Sequence, residues 1–308
     1  MNNELYELSV GADCTGMRLD AYIYDALSDV FTSRAQVQKV IQDGNAHVNG
    51  RIVQKAGYKV SQNDMISCVC CFPEDFTIKA ENIPLDIVYE DDDIIVINKP
   101  RGMVVHPGAG NFSGTLANGL MYHCNSLSDV NGDVRPGIVH RIDKDTTGLL
   151  VAAKNNEAHV HLARQLETHS MSRTYFAVTE GVIESNKGII DAPIGRKPND
   201  RVKMAVNLKN GKDAITHYEV LSRSSGFTYV KCNLETGRTH QIRVHMAFIK
   251  HPVVGDPLYG IKDMRQMAGQ ALHAGELKLI HPATDQEMVF TAPIPDDFCD
   301  LLKRTDLV

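Results

Sequence analysis

No stretch of this 308-residue chain approaches the roughly 18 consecutive apolar residues that a membrane-spanning helix requires. The opening MNNELYELSV has neither a basic lead nor an apolar run of signal-peptide length. Both absences give the expectation of a cytoplasmic protein with no membrane attachment. A disulfide framework is missing too. The seven cysteines (Cys14, Cys68, Cys70, Cys71, Cys124, Cys232 and Cys299) are odd in number and scattered, which suits reduced thiols. Cys68 and Cys71 have the spacing of a zinc pair, but no second pair and no suitably spaced histidines complete a site. They also lie in the apolar run from Met65 to Phe72, where cysteine packs as a small hydrophobe. The glycine-rich stretch from Gly108 to Thr115 lacks the lysine of a phosphate-binding P-loop. The His-x-Glu and Pro-Cys-x-x-Cys pair of the zinc deaminases is absent as well.

What is present is a normal globular balance, 43% hydrophobic and 23% charged, in a chain long enough for one large domain or two ordinary ones. A net charge of −6 argues against indiscriminate binding to nucleic acid, but the charges are unevenly distributed, and distribution decides binding. Between Ser33 and Lys59 the bases Arg34, Lys39, Arg51, Lys55 and Lys59 face the single acid Asp43. Arg196, Lys197, Arg201, Lys203, Lys209 and Lys212 form a second cluster, and the acids gather at Glu90 to Asp93 and at Asp296 and Asp297.

The periodicity predicts a small α+β unit in the first 70 or so residues. One helix places Leu19, Tyr22, Ile23, Ala26 and Leu27 inward. A second, capped by Thr32 or Ser33, carries Val37, Val40 and Ile41 and stops at Asp43-Gly44. A hairpin turning at Asn49-Gly50 and a strand from Met65 to Cys71 follow. The polar stretch after Phe72 reads as a linker. Beyond it, the run from Asp93 to Pro100 predicts a strand buried on both faces, and Gly137 to His140 and Leu149 to Ala153 predict two more around a charged loop. Asn155 or Asn156 can cap a helix facing inward with Ala158, Leu162 and Leu166. Further strands are expected at Tyr175 to Val178, Thr216 to Val220 and Phe227 to Cys232, giving a mixed, mainly antiparallel sheet flanked by helices.

Two segments carry chemistry. The first, His140-Arg141-Ile142-Asp143-Lys144-Asp145-Thr146-Thr147-Gly148, is a charged loop between apolar strands, a usual place for working residues. Asp143 stands out beside a strand end with Arg141 and Lys144 near it, although such a loop is more often a solvated connection. The second, from Leu234 to Ala247, is dense in arginine and histidine around apolar anchors. Its Arg238, His240, Arg243 and His245 invite a phosphate or carboxylate partner, or belong to a half-exposed strand or helix with solvated bases. His240 and His245 lack the spacing and the intervening glutamate of a zincin helix.

The order helix, helix, glycine, short hairpin and basic residues resembles the S4 RNA-binding domain. The rest resembles the pseudouridine synthases that modify large-subunit ribosomal RNA and carry an attached S4 domain. The matching pieces are Asn98-Lys99-Pro100, Val104-Val105-His106-Pro107, Gly114 to Asn118, Arg135 through Leu150, Ile194-Gly195-Arg196, Lys203 to Val206, Gly237 to His245, His251 to Gly260, Leu272-His273-Ala274 and His281-Pro282. They fall in the family's order across nearly the whole chain after residue 85. Three mild departures are Ile142 where leucine is usual, Thr147 where serine is usual and Arg173 where lysine is commoner.

The resemblance implies an S4-like domain over 1–72, a linker over 73–84 and a catalytic domain over 85–308. It implies that Asp143 is the catalytic carboxylate, that Tyr175 stacks on the target base and that Arg243 pairs with Asp143. Arg141 would be the wedge that fills the gap left by an extruded base. The RNA-binding candidates beside it are Arg34, Lys39 and Arg51 in the first domain and Arg238 and His240 in the second, holding phosphates and so positioning the RNA. The implied reaction needs no cofactor or metal, the implied partner is RNA, and the implied state is a monomer. The alternatives are an S4-type RNA-binding protein without catalysis and a synthase acting on transfer RNA.

Overall fold

A computed structural model describes residues 3–11, 14–27, 31, 34–71, 78–107, 113–132, 135–197, 203–261 and 267–308. Two compact units meet along the chain at Thr77 and Ile78. The first contains β1 (Asn3–Ser9), α1 (Leu19–Ala26), α2 (Arg34–Gln42), β2 (Ala46–Val48), β3 (Arg51–Ile52) and β4 (Met65–Cys71), with an antiparallel sheet in the order β1-β4-β2-β3. Asn49 and Gly50 both take positive φ, 52° and 75°, as a two-residue hairpin turn of this hand demands. Both helices lay apolar residues on one face of the sheet: Leu19, Tyr22, Ile23, Val37 and Ile41 meet Ala46, Val48, Ile66 and Cys68. Ala26, expected inward, is exposed, and Tyr24 is buried instead. The reason is Asp20, one turn before Tyr24 on the same face. Its buried carboxylate takes hydrogen bonds from Arg18, Arg34 and Gln38, tying the helices together and rotating the inner stripe of α1 toward the line of residues 20, 24 and 27. The Thr32 and Ser33 caps lie outside the described residues.

The second unit is organised by alternation within two strands, β6 (Ile94–Lys99) and β7 (Thr147–Ala153), the latter buried at every position. Ile95, Ile97, Leu150 and Ala152 point into one core. Ile94, Val96, Leu149, Val151 and Ala153 point into another, beneath α4 (Asn156–Glu167) and its Ala158 and Leu162. Asn155, not Asn156, caps α4, accepting from the backbone N–H of Ala158 at 2.8 Å. The remaining elements are β5 (Ile87–Glu90), α3 (Leu116–His123), β8 (Ser172–Glu180), β9 (Lys187–Asp191), β10 (Ile194–Arg196), β11 (Met204–Val206), β12 (Ile215–Arg223), β13 (Phe227–Leu234), α5 (Gln241–Phe248), β14 (Leu272–Ile280), β15 (Glu287–Thr291) and α6 (Asp296–Arg304). The large sheet runs β5-β6-β7-β14-β8-β13-β12-β9. It forks at β14, whose start pairs with β7 and whose later part pairs with β15. The short β7–β14 contact is parallel, and the other described pairings are antiparallel.

The expected strand from Gly137 to His140 is absent. Only Ile138 forms a bridge, to Ala152. Gly137 adopts φ +70°, and a Cβ on it would lie 2.6 Å from the carbonyl oxygen of Ala153, so the backbone turns there instead of extending.

The parallel contact depends on a glycine. Gly148 has φ +106°, and a Cβ there would sit 2.2 Å from the Ala274 carbonyl oxygen. Gly148→Ala is therefore expected to cost at least about 2–3 kcal/mol, from strain and a backbone clash together. Thermal unfolding measures it, and a melting temperature equal to wild type would show that β7 and β14 can separate freely.

Candidate active site

The loop from Arg141 to Thr146 enters β7, and long-range bonds to its main chain hold it. Lys99 ends β6 fully buried, with Nζ donating to the carbonyls of Pro100 at 2.8 Å, Met103 at 2.9 Å and Lys144 at 3.0 Å. Burial pushes this amine down to about 7, opposed by the charges of Asp145 and Asp143. The three carbonyls occupy all three hydrogens of the ammonium form. Arg101 Nη1 donates to the carbonyls of Asp145 and Gln270, and Gln270 donates to Thr146 Oγ1 at 3.1 Å. Asp143 itself closes a turn, its carbonyl accepting from Thr146 N at 3.1 Å.

The Asp143 carboxylate points at Arg243 on α5, Oδ2 accepting from Nη1 at 2.8 Å. Arg243 is committed on its other edge as well, where Nε and Nη2 donate to Asp256 at 2.7 and 2.9 Å. Asp256 is fully buried, and its Oδ1 also accepts from the backbone of Leu258 and Tyr259. The planar fork of an arginine matches a carboxylate in this two-bond manner. Burial opposes the charge on Arg243, but the bonds to Asp256 and the charge of Asp143 outweigh it and hold its pKa above the ordinary arginine value. The Tyr259 ring packs 5.3 Å from the guanidinium carbon.

Asp143 Oδ1 accepts no hydrogen bond among the described residues, and His240 Nε2 lies 3.9 Å from it. His240 occupies the left-handed region (φ 58°) just before α5. Its Nδ1 meets the Tyr259 hydroxyl at 2.9 Å, and that hydroxyl accepts from Met204 N at 2.8 Å. Burial pushes Tyr259 up to about 12 and lowers His240, so both are neutral near pH 7. The phenol hydrogen then goes to His240 Nδ1, which leaves Nε2–H facing Asp143. Gln241 fixes the loop ahead of α5, its Oε1 accepting from Arg238 N and its Nε2 donating to Ile215 O.

An open cleft lies over this group, lined among others by Arg141, Asp143, Arg173, Tyr175, Arg238 and His240. Tyr175 and Arg173 point to the same face of β8, being two residues apart. Tyr175 is buried, and that burial raises its hydroxyl above the ordinary value.

Arg141, Asp143, Tyr175, Arg238, His240 and Arg243 thus converge on one cleft, Arg141 and Arg238 standing exposed on it. Arg238 also donates to the Asp213 carbonyl. In the first unit, Lys39 and Arg51 are exposed while Arg34 pairs with Asp20. His245 is core structure, bonded to Thr216 and Ala192, so it does not converge with His240. The acid clusters are largely structural: Glu90 pairs with Lys154, Asp91 with His281 and Asp297 with Arg101. Sequence reasoning missed Lys99, Asp256, Tyr259 and Gln270. For Lys99 a signal existed, namely a lysine at an inward position of an otherwise apolar strand. For the others none did.

Comparison with known proteins assigns this architecture. Residues 93–248 match the family model described as RNA pseudouridylate synthase, and residues 17–66 match the S4 domain. The chain is 51% identical over 287 residues to a protein of Bacillus subtilis (strain 168) named as an uncharacterized RNA pseudouridine synthase, covering 93% of each. It is 42% identical over 308 residues to ribosomal large subunit pseudouridine synthase D of Escherichia coli (strain K12), covering 96% of this chain and 92% of that one. Among solved structures, human RNA pseudouridylate synthase domain containing 4 aligns with a TM-score of 0.56 and 27% identity, over 71% of this chain and 92% of its own. Among the described residues, no helix is long and apolar enough to cross a membrane. With the cleft and these likenesses together, the chain belongs to the RNA pseudouridine synthases, isomerases that here carry an N-terminal S4 domain.

Proposed function

We propose that this enzyme converts uridine to pseudouridine in large-subunit ribosomal RNA, with Asp143 as the reacting carboxylate and without a cofactor. The observation that carries the reading is the asymmetry of Asp143: one oxygen is bound to Arg243 and the other is open to a cleft walled by Tyr175. Isomerisation breaks the bond between base and ribose, turns the uracil and forms a carbon–carbon bond, with no change of oxidation state. An ionised carboxylate can serve it as nucleophile or as the charge that stabilises a cationic ribose. Arg243 orients that carboxylate through its bond to Oδ2.

A base inside a helix cannot reach this cleft, so the target uridine is extruded. Arg141, exposed at the cleft, fills the vacated stack, and Tyr175 supplies the flat face for the uracil. Arg238 and His240 on this unit, with Lys39, Arg51 and Arg34 on the S4 unit, hold the phosphates. The substrate preference follows the synthases named for the ribosomal large subunit. Tritium release from transcripts labelled at C5 of uridine tests the reading. Release from large-subunit ribosomal RNA supports it, release from transfer RNA alone reassigns the substrate, and no release from either leaves an RNA-binding protein.

Tyr175→Phe separates stacking from hydroxyl chemistry. No described group bonds the Tyr175 hydroxyl, so the variant is expected to melt at the wild-type temperature and to keep turnover within about fivefold, stacking being retained. Complete loss of tritium release would instead give the hydroxyl a chemical role.

A further inference from the structure

Arg173 is the one cleft arginine that is both buried, at 7% exposure, and without a hydrogen bond or ion pair among the described residues. Its Nε is shut away from water with no acceptor. No described carboxylate pairs with it, although Asp143 lines the same cleft. A Cβ on Gly237 would lie 2.8 Å from its Nη1, so the guanidinium packs against the bare backbone of that loop. Tyr175 stands two residues along the same face of β8. His140 nearby is held neutral, burial and the Arg173 charge lowering it to about 3, and its Nε2 accepts from Val151 N at 3.2 Å. A buried cation without a counter-charge is costly, and a protein that keeps one at a site wall has an acceptor arriving from outside.

Exposure sorts the arginines of this cleft. Arg141 and Arg238 are exposed, the first placed to fill the vacated stack and the second to meet phosphates, which stay in water. Arg173 lies deeper, beside the aromatic face. Resting on the reading that the cleft takes an extruded uridine, we infer that Arg173 donates to a carbonyl oxygen of the uracil. When the N1–C1′ bond breaks, its electron pair stays with the ring, where it is spread over N1 and the carbonyl oxygens. Asp143 compensates the ribose carbon, and Arg173 stabilises the departing base. The pair is returned when C5 bonds to C1′; the C5 proton is then lost to solvent and N1 takes one up, so that the product is an isomer of the uridine.

The test uses Arg173→Gln, Arg173→Lys and Arg173→Met in the full-length protein with labelled ribosomal RNA. Arg173→Gln is expected to lower the single-turnover rate at saturating RNA about 100-fold, as removal of one donor to a developing oxyanion does. RNA affinity should stay within about twofold, with an unchanged dependence of log Kd on log salt. Arg173→Lys should recover part of the rate. Arg173→Met should melt at or above the wild-type temperature, since it removes an uncompensated charge. A salt slope reduced by about 1 with an unchanged saturating rate would make Arg173 a phosphate contact and overturn the inference. A clear fall in melting temperature for Arg173→Met would make it structural and overturn it too. Wild-type protein inactive on every RNA would defeat the uridine-isomerase reading itself, an outcome distinct from both.

Discussion

Asp143→Asn is expected to abolish tritium release, lowering the single-turnover rate by about 10⁴-fold or more, as loss of a central catalytic group does in other enzymes. The substitution is nearly isosteric, and its surroundings are prepared to tolerate it. Arg243 keeps both bonds to Asp256, so its charge is not stranded, and the amide oxygen of asparagine can still accept from Arg243 Nη1. The loop itself is held through main-chain bonds from Lys99 and Arg101, neither of which involves the Asp143 side chain. RNA affinity and melting temperature should therefore match wild type. Filter binding and thermal unfolding serve as controls beside the kinetics. Turnover above about one tenth of wild type would remove Asp143 from the reaction, because a neutral amide cannot act as nucleophile or counter-charge.

The reach of the sequence differed between parts of this molecule for physical reasons. The strands β6 and β7 and the helices α1 and α4 were legible because burial on one or both faces imposes a local pattern. Asp143 was legible as a candidate because a charged loop between two such strands is itself a local signal. Its partner Arg243 lies 100 residues away, and only the family resemblance joined the two. Asp256 stood in a quoted motif without a role, since nothing in a Gly-Asp-Pro sequence tells that its carboxylate will be buried beneath an arginine of another element. His245 looked like a possible ligand but is a satisfied core residue, because histidine density in a sequence does not distinguish the two. Gly137 to His140 failed as a strand because Pro136 and a left-handed glycine precede an apolar pair too short to extend.

Arg243 is the residue on which the site's stability and its chemistry meet, and a double substitution separates them. Arg243→Met leaves Asp256, fully buried, without its cation. Breaking a buried ion pair from one side costs about 3–5 kcal/mol, which in a domain of this size lowers the melting temperature by roughly 10 °C. Adding Asp256→Asn removes the stranded charge, while the asparagine oxygen still accepts from Leu258 and Tyr259, as Asp256 Oδ1 does. The double variant is therefore expected to recover most of the lost stability, a coupling of several kcal/mol between side chains in direct contact. Activity should not return with it, because Asp143 has still lost the guanidinium that orients it. Melting curves and tritium release on the same three proteins decide the matter. If the double variant melts no higher than Arg243→Met, the cost lay in packing around the methionine rather than in the uncompensated carboxylate. If it regains turnover along with stability, Asp143 does not depend on Arg243, and the pair is a fold element that happens to border the cleft.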